Sequence, residues 1–180
     1  MTGGSTRPAE HLACLQGLSH VVGWRGVEMA VRDGDGAEPR FGGDGVPCLV
    51  FWGLLAILDD GTARRVDTDQ DDDAWGLCFS VDGPRRWKVR EDGSGYRTRE
   101  VTELPIGEIT VLTVRFDTGR LLVAEVLLRI GGHDVLLMAG EPYEGQNGQL
   151  VWHRLDESVL VFTDPAGADD VSWIPERGEV

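Results

Sequence analysis

The chain has 180 residues, enough for one core, with 41% apolar and 27% charged residues and a formal net charge of −14 at pH 7. Such an apolar share argues against wholesale disorder, and the negative field repels phosphate backbones and anionic bilayers, so nucleic acid and membrane are disfavoured as partners. The acidity points instead to a basic protein partner or to solubility alone.

Residues 1–7 read as a flexible N-terminus, 8–175 as a single β-rich domain and 176–180 as a C-terminal tail. Nothing in residues 1–18 resembles a secretory signal, because polar residues, Pro8 and Glu10 fall where an unbroken apolar stretch is required. The uncharged run 46–58 contains Pro47 and is shorter than the roughly 18–20 residues of a spanning helix. A cytoplasmic location is therefore expected. Three cysteines without paired spacing, Cys14, Cys48 and Cys78, suit reduced structural thiols better than a disulfide frame or a zinc cage.

In chain order, residues 8–16 predict a short helix: Pro8 is tolerated in its first turn, Leu12 and Leu15 share a face, and Gly17 can stop it. Residues 21–31 and 48–58 read as strands, separated by a Gly- and Asp-rich surface loop at 33–45. Asp60-Gly61 then offers a tight hairpin turn into a strand at 63–66. Turn signals recur at Asp82-Gly83-Pro84, Asp92-Gly93, Asp117-Thr118-Gly119, Gly131-Gly132 and Asn147-Gly148, each between short runs rich in Val, Leu, Ile, Trp or Thr. Leu112, Val114 and Phe116 alternate with Thr113 and Arg115, predicting one buried and one wetter face, as do Leu122, Ala124, Val126, Leu128 and Ile130. Residues 159–162 are apolar on both faces and predict a central strand ended by Pro165. The charged segment 86–103 reads as a guarded edge hairpin.

The expected fold is all-β, an antiparallel hairpin-built sandwich or barrel of roughly ten strands with a short N-terminal helix. The stretch Leu58-Asp-Asp-Gly-Thr with its following 75–83 run resembles Phe116-Asp-Thr-Gly-Arg with its following 134–140 run, which two related half-sheets or ordinary hairpin grammar would both produce.

The conspicuous cluster is Asp67, Asp69, Asp71, Asp72 and Asp73, because alternating carboxylates can converge on a hard cation. A twelve-residue calcium loop fails, however: a frame from Asp67 puts Asp72 at the required glycine and Cys78 at the bidentate glutamate, and a frame from Asp69 puts Ala74 and Ser80 there. The cluster runs into Trp75, and Asp169, Asp170 and Trp173 repeat the combination of two carboxylates and an indole. An indole supplies a rigid anchor and the carboxylates meet Arg or Lys, so these residues are candidate partner-binding positions, with core tryptophans and turn aspartates as the plainer alternative.

The six tryptophans, at 24, 52, 75, 87, 152 and 173, are too dispersed for a single stacking platform. His11, His20, His133 and His153 show no metal-ligand spacing, and no nucleophile elbow, phosphate loop or dinucleotide fingerprint occurs. No metal, cofactor or catalytic residue is assigned. Glu125 and Glu141 could do acid and base work only if folding made them face each other. The leading expectation is a non-catalytic cytosolic module whose acidic loops mask a basic partner, as an inhibitor or immunity-type protein does. A small-ligand-binding β-barrel or sandwich and an enzyme with dispersed residues are the alternatives.

Overall fold

A computed structural model describes residues 7–30, 39–42, 45–82, 95–117, 119 and 122–177. The chain is mostly antiparallel sheet with one short N-terminal helix, α1 (Arg7–Gln16). Its strands are β1 (His20–Met29), β2 (Leu49–Phe51), β3 (Gly53–Leu58), β4 (Ala63–Asp71), β5 (Ala74–Asp82), β6 (Tyr96–Glu100) and β7 (Gly107–Phe116). They continue as β8 (Val123–Ile130), β9 (His133–Glu144), β10 (Leu150–Arg154), β11 (Ser158–Phe162) and β12 (Trp173–Ile174), with a 3-10 turn at Pro165–Ala168. Among the described residues the strands number twelve rather than about ten, because Trp52 splits the 48–58 run into two strands and a short β12 adds to β10. Among the same residues no helix is long and apolar enough to cross a membrane.

The main path runs β12-β10-β9-β8-β7-β1-β3-β4-β5, with β6 added to β1 and β11 joined to both β9 and β2. Local chemistry sets these pairings. Gly131 and Gly132 both take positive φ, +55° and +87°, the pair a two-residue hairpin needs, and they turn β8 directly into β9. The far end of the path folds back: β5 lies against β8 and β9, and the Trp75 N–H donates to the Leu155 carbonyl at 2.8 Å. Gly76 permits that approach, since a Cβ there would stand 2.8 Å from Leu122 Cβ.

The both-faces-apolar strands follow from two cores. Val135, Leu137, Ala139, Val159 and Val161 enter a large cluster with Trp24, Phe51 and Leu54, while Leu136, Met138, Leu160 and Phe162 enter a second with Trp152 and Trp173. Residues alternate between the two faces, so β9 over residues 135–139 and β11 over residues 159–162 are apolar on both sides because each face meets a different core. Helix α1 caps the large cluster through buried Leu15, and His11 Nδ1 accepts from the Phe79 N–H of β5 at 3.2 Å.

Two strand expectations change. A bulge between Val111 and Thr113 interrupts the alternation of β7, so Leu112 is exposed rather than buried beside Phe116. Of the charged segment 86–103, β6 pairs with β1 as expected of an edge addition, while the turn at Asp92-Gly93, Trp87 and the loop around 33–38 lie outside the described residues. The two internally similar stretches occupy corresponding places in two three-stranded meanders, β3-β4-β5 and β7-β8-β9.

Candidate functional site

The acidic stretch is strand before it is loop. Asp67, Asp69 and Asp71 lie on β4, and only Asp72 and Asp73 make the turn into β5, with Asp72 at φ +55°, a conformation that Asp tolerates better than most residues. Asp67 is ion-paired with Arg65 and accepts from the Thr68 N–H, yet burial raises its pKa and the charge of Asp69 adds to the rise. Trp75 is half-buried opposite Gln70, while Asp71, Asp72 and Asp73 are exposed.

The second Asp–Trp combination divides. Trp173 does not present its indole to solvent: it is buried edge-on against Trp152 and Phe162, and its Nε1 donates to the Ala168 carbonyl at 2.8 Å. Burying that ring in the second core stabilises the fold and leaves no anchor for a partner. Asp170 is exposed, and Asp169 is ion-paired with Arg177. Arg177 itself, which the sequence puts in a C-terminal tail, is packed with only 14% of its side chain exposed.

What the acidic strand adjoins is a set of residues that sequence reasoning left apart. Thr68 Oγ1 donates to the Glu157 carbonyl, tying β4 to the turn between β10 and β11. In that turn Asp156 accepts from the Tyr143 hydroxyl at 3.1 Å, and Glu157 precedes the buried Ser158. Ser158 Oγ donates to Glu141 Oε2 at 3.2 Å. Glu141 is itself buried, and burial together with the charges of Glu157 and Asp156 pushes its carboxyl up to about 7. Burial first, then the charges of Glu157 and Glu141, raise the Tyr96 hydroxyl, and burial with Asp156, Glu141 and Glu157 raises that of Tyr143.

Aromatic rings frame the carboxylates. A void of about 10 Å³, at the size limit for one water, is bounded by Phe41, Trp52, Tyr96, Glu141 and Ser158. Trp52 and Tyr96 meet edge to face at 5.1 Å, and Tyr143 meets His153 likewise at 5.0 Å. Trp52 and Tyr143 remain 39% and 43% exposed, unusual for rings of this size. Arg40 acts electrostatically on Glu141 and stacks over Phe41 with its guanidinium carbon 5.1 Å from the ring centre. An ammonium or guanidinium brought here would meet π faces and three carboxylates together, an arrangement that favours cations.

The two glutamates that invited an acid–base pairing have separate partners. Glu125, on β8, is buried among Arg115, Arg154 and Arg177, whereas Glu141 is held by Ser158. Asp134, beside His133, is engaged by Arg129 at 2.7 Å and 3.0 Å, which holds its carboxyl below the usual range. Glu28 is likewise buried, taking Arg97 at 2.7 Å and Arg99 at 2.8 Å. A carboxylate inside an apolar strand is costly unless paired, and that signal alone marks Glu28, Glu125 and Glu141 in the sequence as sites of special environment. Cys14, Cys48 and Cys78 form no disulfide, and Cys48 is buried. Among the described residues no three His, Cys, Asp or Glu side chains gather as a metal-ligand group. Compared with known proteins, the chain matches no family model, no curated protein and no solved structure.

Proposed function

We propose that this chain is a non-catalytic cytosolic module that covers a basic surface on a partner protein, in the manner of an inhibitor or immunity-type protein. One observation carries the reading: Glu141, Asp156 and Glu157 are drawn together beside the exposed rings of Trp52 and Tyr143 and next to the acidic strand Asp67–Asp71. Rings supply desolvated contact area and the carboxylates supply charge complementarity, the combination that dominates interfaces with Arg-rich surfaces. The proposed binding surface therefore gathers Trp52, Glu141, Tyr143, Asp156 and Glu157 with Trp75 and the Asp72–Asp73 turn, flanked by Asp67, Asp69 and Asp71 on the side of β4 opposite Thr68, while Trp173 serves the core.

An arginine-rich peptide and its citrulline counterpart, titrated into the isotope-labelled full chain at low salt, test the reading by amide shifts. Saturable shifts centred on Trp52, 68–73 and 156–158, seen with arginine and absent with the uncharged citrulline peptide, support it. Shifts spread evenly over all exposed carboxylates, or equal effects of both peptides, overturn it.

A further inference from the structure

A second region, distant from the acidic strand in sequence, gathers guanidiniums around a buried carboxylate. Beside Glu125 lies a cavity of about 300 Å³, at the lower end of the range for small-molecule sites. One wall is apolar, built by Leu127, Leu136 and Pro165, and the other carries Arg115 and Arg177. Glu125 accepts from Arg177 through both oxygens, at 3.0 Å and 2.9 Å, from Arg154 at 3.1 Å and from Arg115 only at 3.5 Å. Three guanidiniums thus surround one buried carboxylate in a chain whose net charge is −14.

The remaining Arg177 nitrogen, Nη1, is met by Asp169, whose side chain is 75% exposed while that of Arg177 is 14% exposed. A largely solvated carboxylate at the cavity wall is easily exchanged, because its own hydration is nearly intact when it leaves. Asp117 lies within electrostatic range of Arg154, but an anion that replaces Asp169 keeps the balance at Arg177 unchanged. A planar guanidinium offers a carboxylate two parallel N–H donors, a match that a point-charge cation lacks.

We propose that this cavity binds a small organic carboxylate with an apolar body. Its carboxylate displaces Asp169 from Arg177 and takes up the weakly engaged Arg115, and its body lies on Leu127, Leu136 and Pro165. The site is separate from the acidic face and goes beyond the partner-binding reading.

The test uses the full chain and three probes of one size, benzoate, benzyl alcohol and benzamidinium, followed by amide shifts. Benzoate is expected to shift Arg115, Glu125 and Ala166 saturably in the millimolar range, with benzyl alcohol at least tenfold weaker and benzamidinium not binding there. Asp169→Asn, a surface change, should tighten benzoate severalfold, and Arg115→Gln should weaken it tenfold or more with the remaining spectrum unchanged. No saturable shift with benzoate, equal binding of benzyl alcohol, preference for benzamidinium, or weaker benzoate binding by Asp169→Asn would each overturn the proposal, and the probe series needs no variant that must fold.

Discussion

Replacing Glu141 by Gln isolates the titration on which the acidic face is built. In the folded chain this carboxyl is raised from 4.5 to about 7, first by burial and then by the charges of Glu157 and Asp156. Between those two values the folded state keeps a proton that the unfolded chain releases, so stability falls as pH rises through the window and levels off above about 7. From pH 5 to pH 8 the full shift corresponds to roughly 2.5 kcal/mol of lost stability. Glu141 borders a void of about 10 Å³ that can admit a water, so solvent relieves part of the penalty and about 1–2 kcal/mol is the working magnitude. The amide of Gln is nearly isosteric with the protonated acid and can accept from Ser158 Oγ, which stands 3.2 Å from Glu141 Oε2. Urea unfolding of both proteins at pH 5 and pH 8 reads the difference directly, because every other carboxylate titrates in both. The variant should be near-neutral at pH 5 and more stable than the parent by about 1–2 kcal/mol at pH 8. A stability difference independent of pH, or one that shrinks as pH rises, would refute the account of Glu141.

Two further outcomes follow from buried groups elsewhere. Glu28→Ala removes the acceptor shared by Arg97 and Arg99, and because those guanidiniums are a quarter exposed and can turn to water, the cost should be near 3 kcal/mol, the low end for breaking a buried pair; denaturant unfolding checks it, and loss of amide protection in β6 should accompany it. Trp173→Ala deletes a ring packed on Trp152 and Phe162 and should cost about 3–5 kcal/mol in the same assay, whereas a surface anchor would cost little.

Much of the fold is legible in the sequence because hairpins are local. Asp60-Gly61, Gly131-Gly132 and Asn147-Gly148 each stand between apolar runs and each turns the chain, and the apolar run at 159–162 becomes a strand buried on both faces. The turn at Asp72-Asp73 is the instructive exception. It lacks glycine, so a run of aspartates reads as one surface loop, although alternation of Asp67 and Asp69 with Thr68 already has the period of a strand. The bulge in β7 is invisible for a related reason: an extra residue shifts the face without changing composition.

The candidate site was legible only in part. The acidic strand announces itself by charge density, but its neighbours come from β9, from the β10–β11 turn and from Trp52 between β2 and β3, all distant in sequence and joined by long-range pairing. Trp75 and Trp173 look alike beside their aspartates, and which ring is buried depends on whether a second core lies above the sheet, a tertiary fact. Arg177 reads as tail because no local pattern shows that Glu125, 52 residues earlier, is buried and requires a guanidinium.

The most direct measurement of the central claim is the affinity of the arginine-rich peptide for four versions of the chain: the parent, Trp52→Ala, the fourfold Asn replacement of Asp69, Asp71, Asp72 and Asp73, and Glu108→Gln as an exposed acidic control on β7. The account predicts at least tenfold weaker binding, or about 1.4 kcal/mol, for the indole deletion and for the fourfold change, with the control indistinguishable from the parent. Affinity that tracks only the number of charges removed, with Trp52→Ala binding as the parent does, would contradict it.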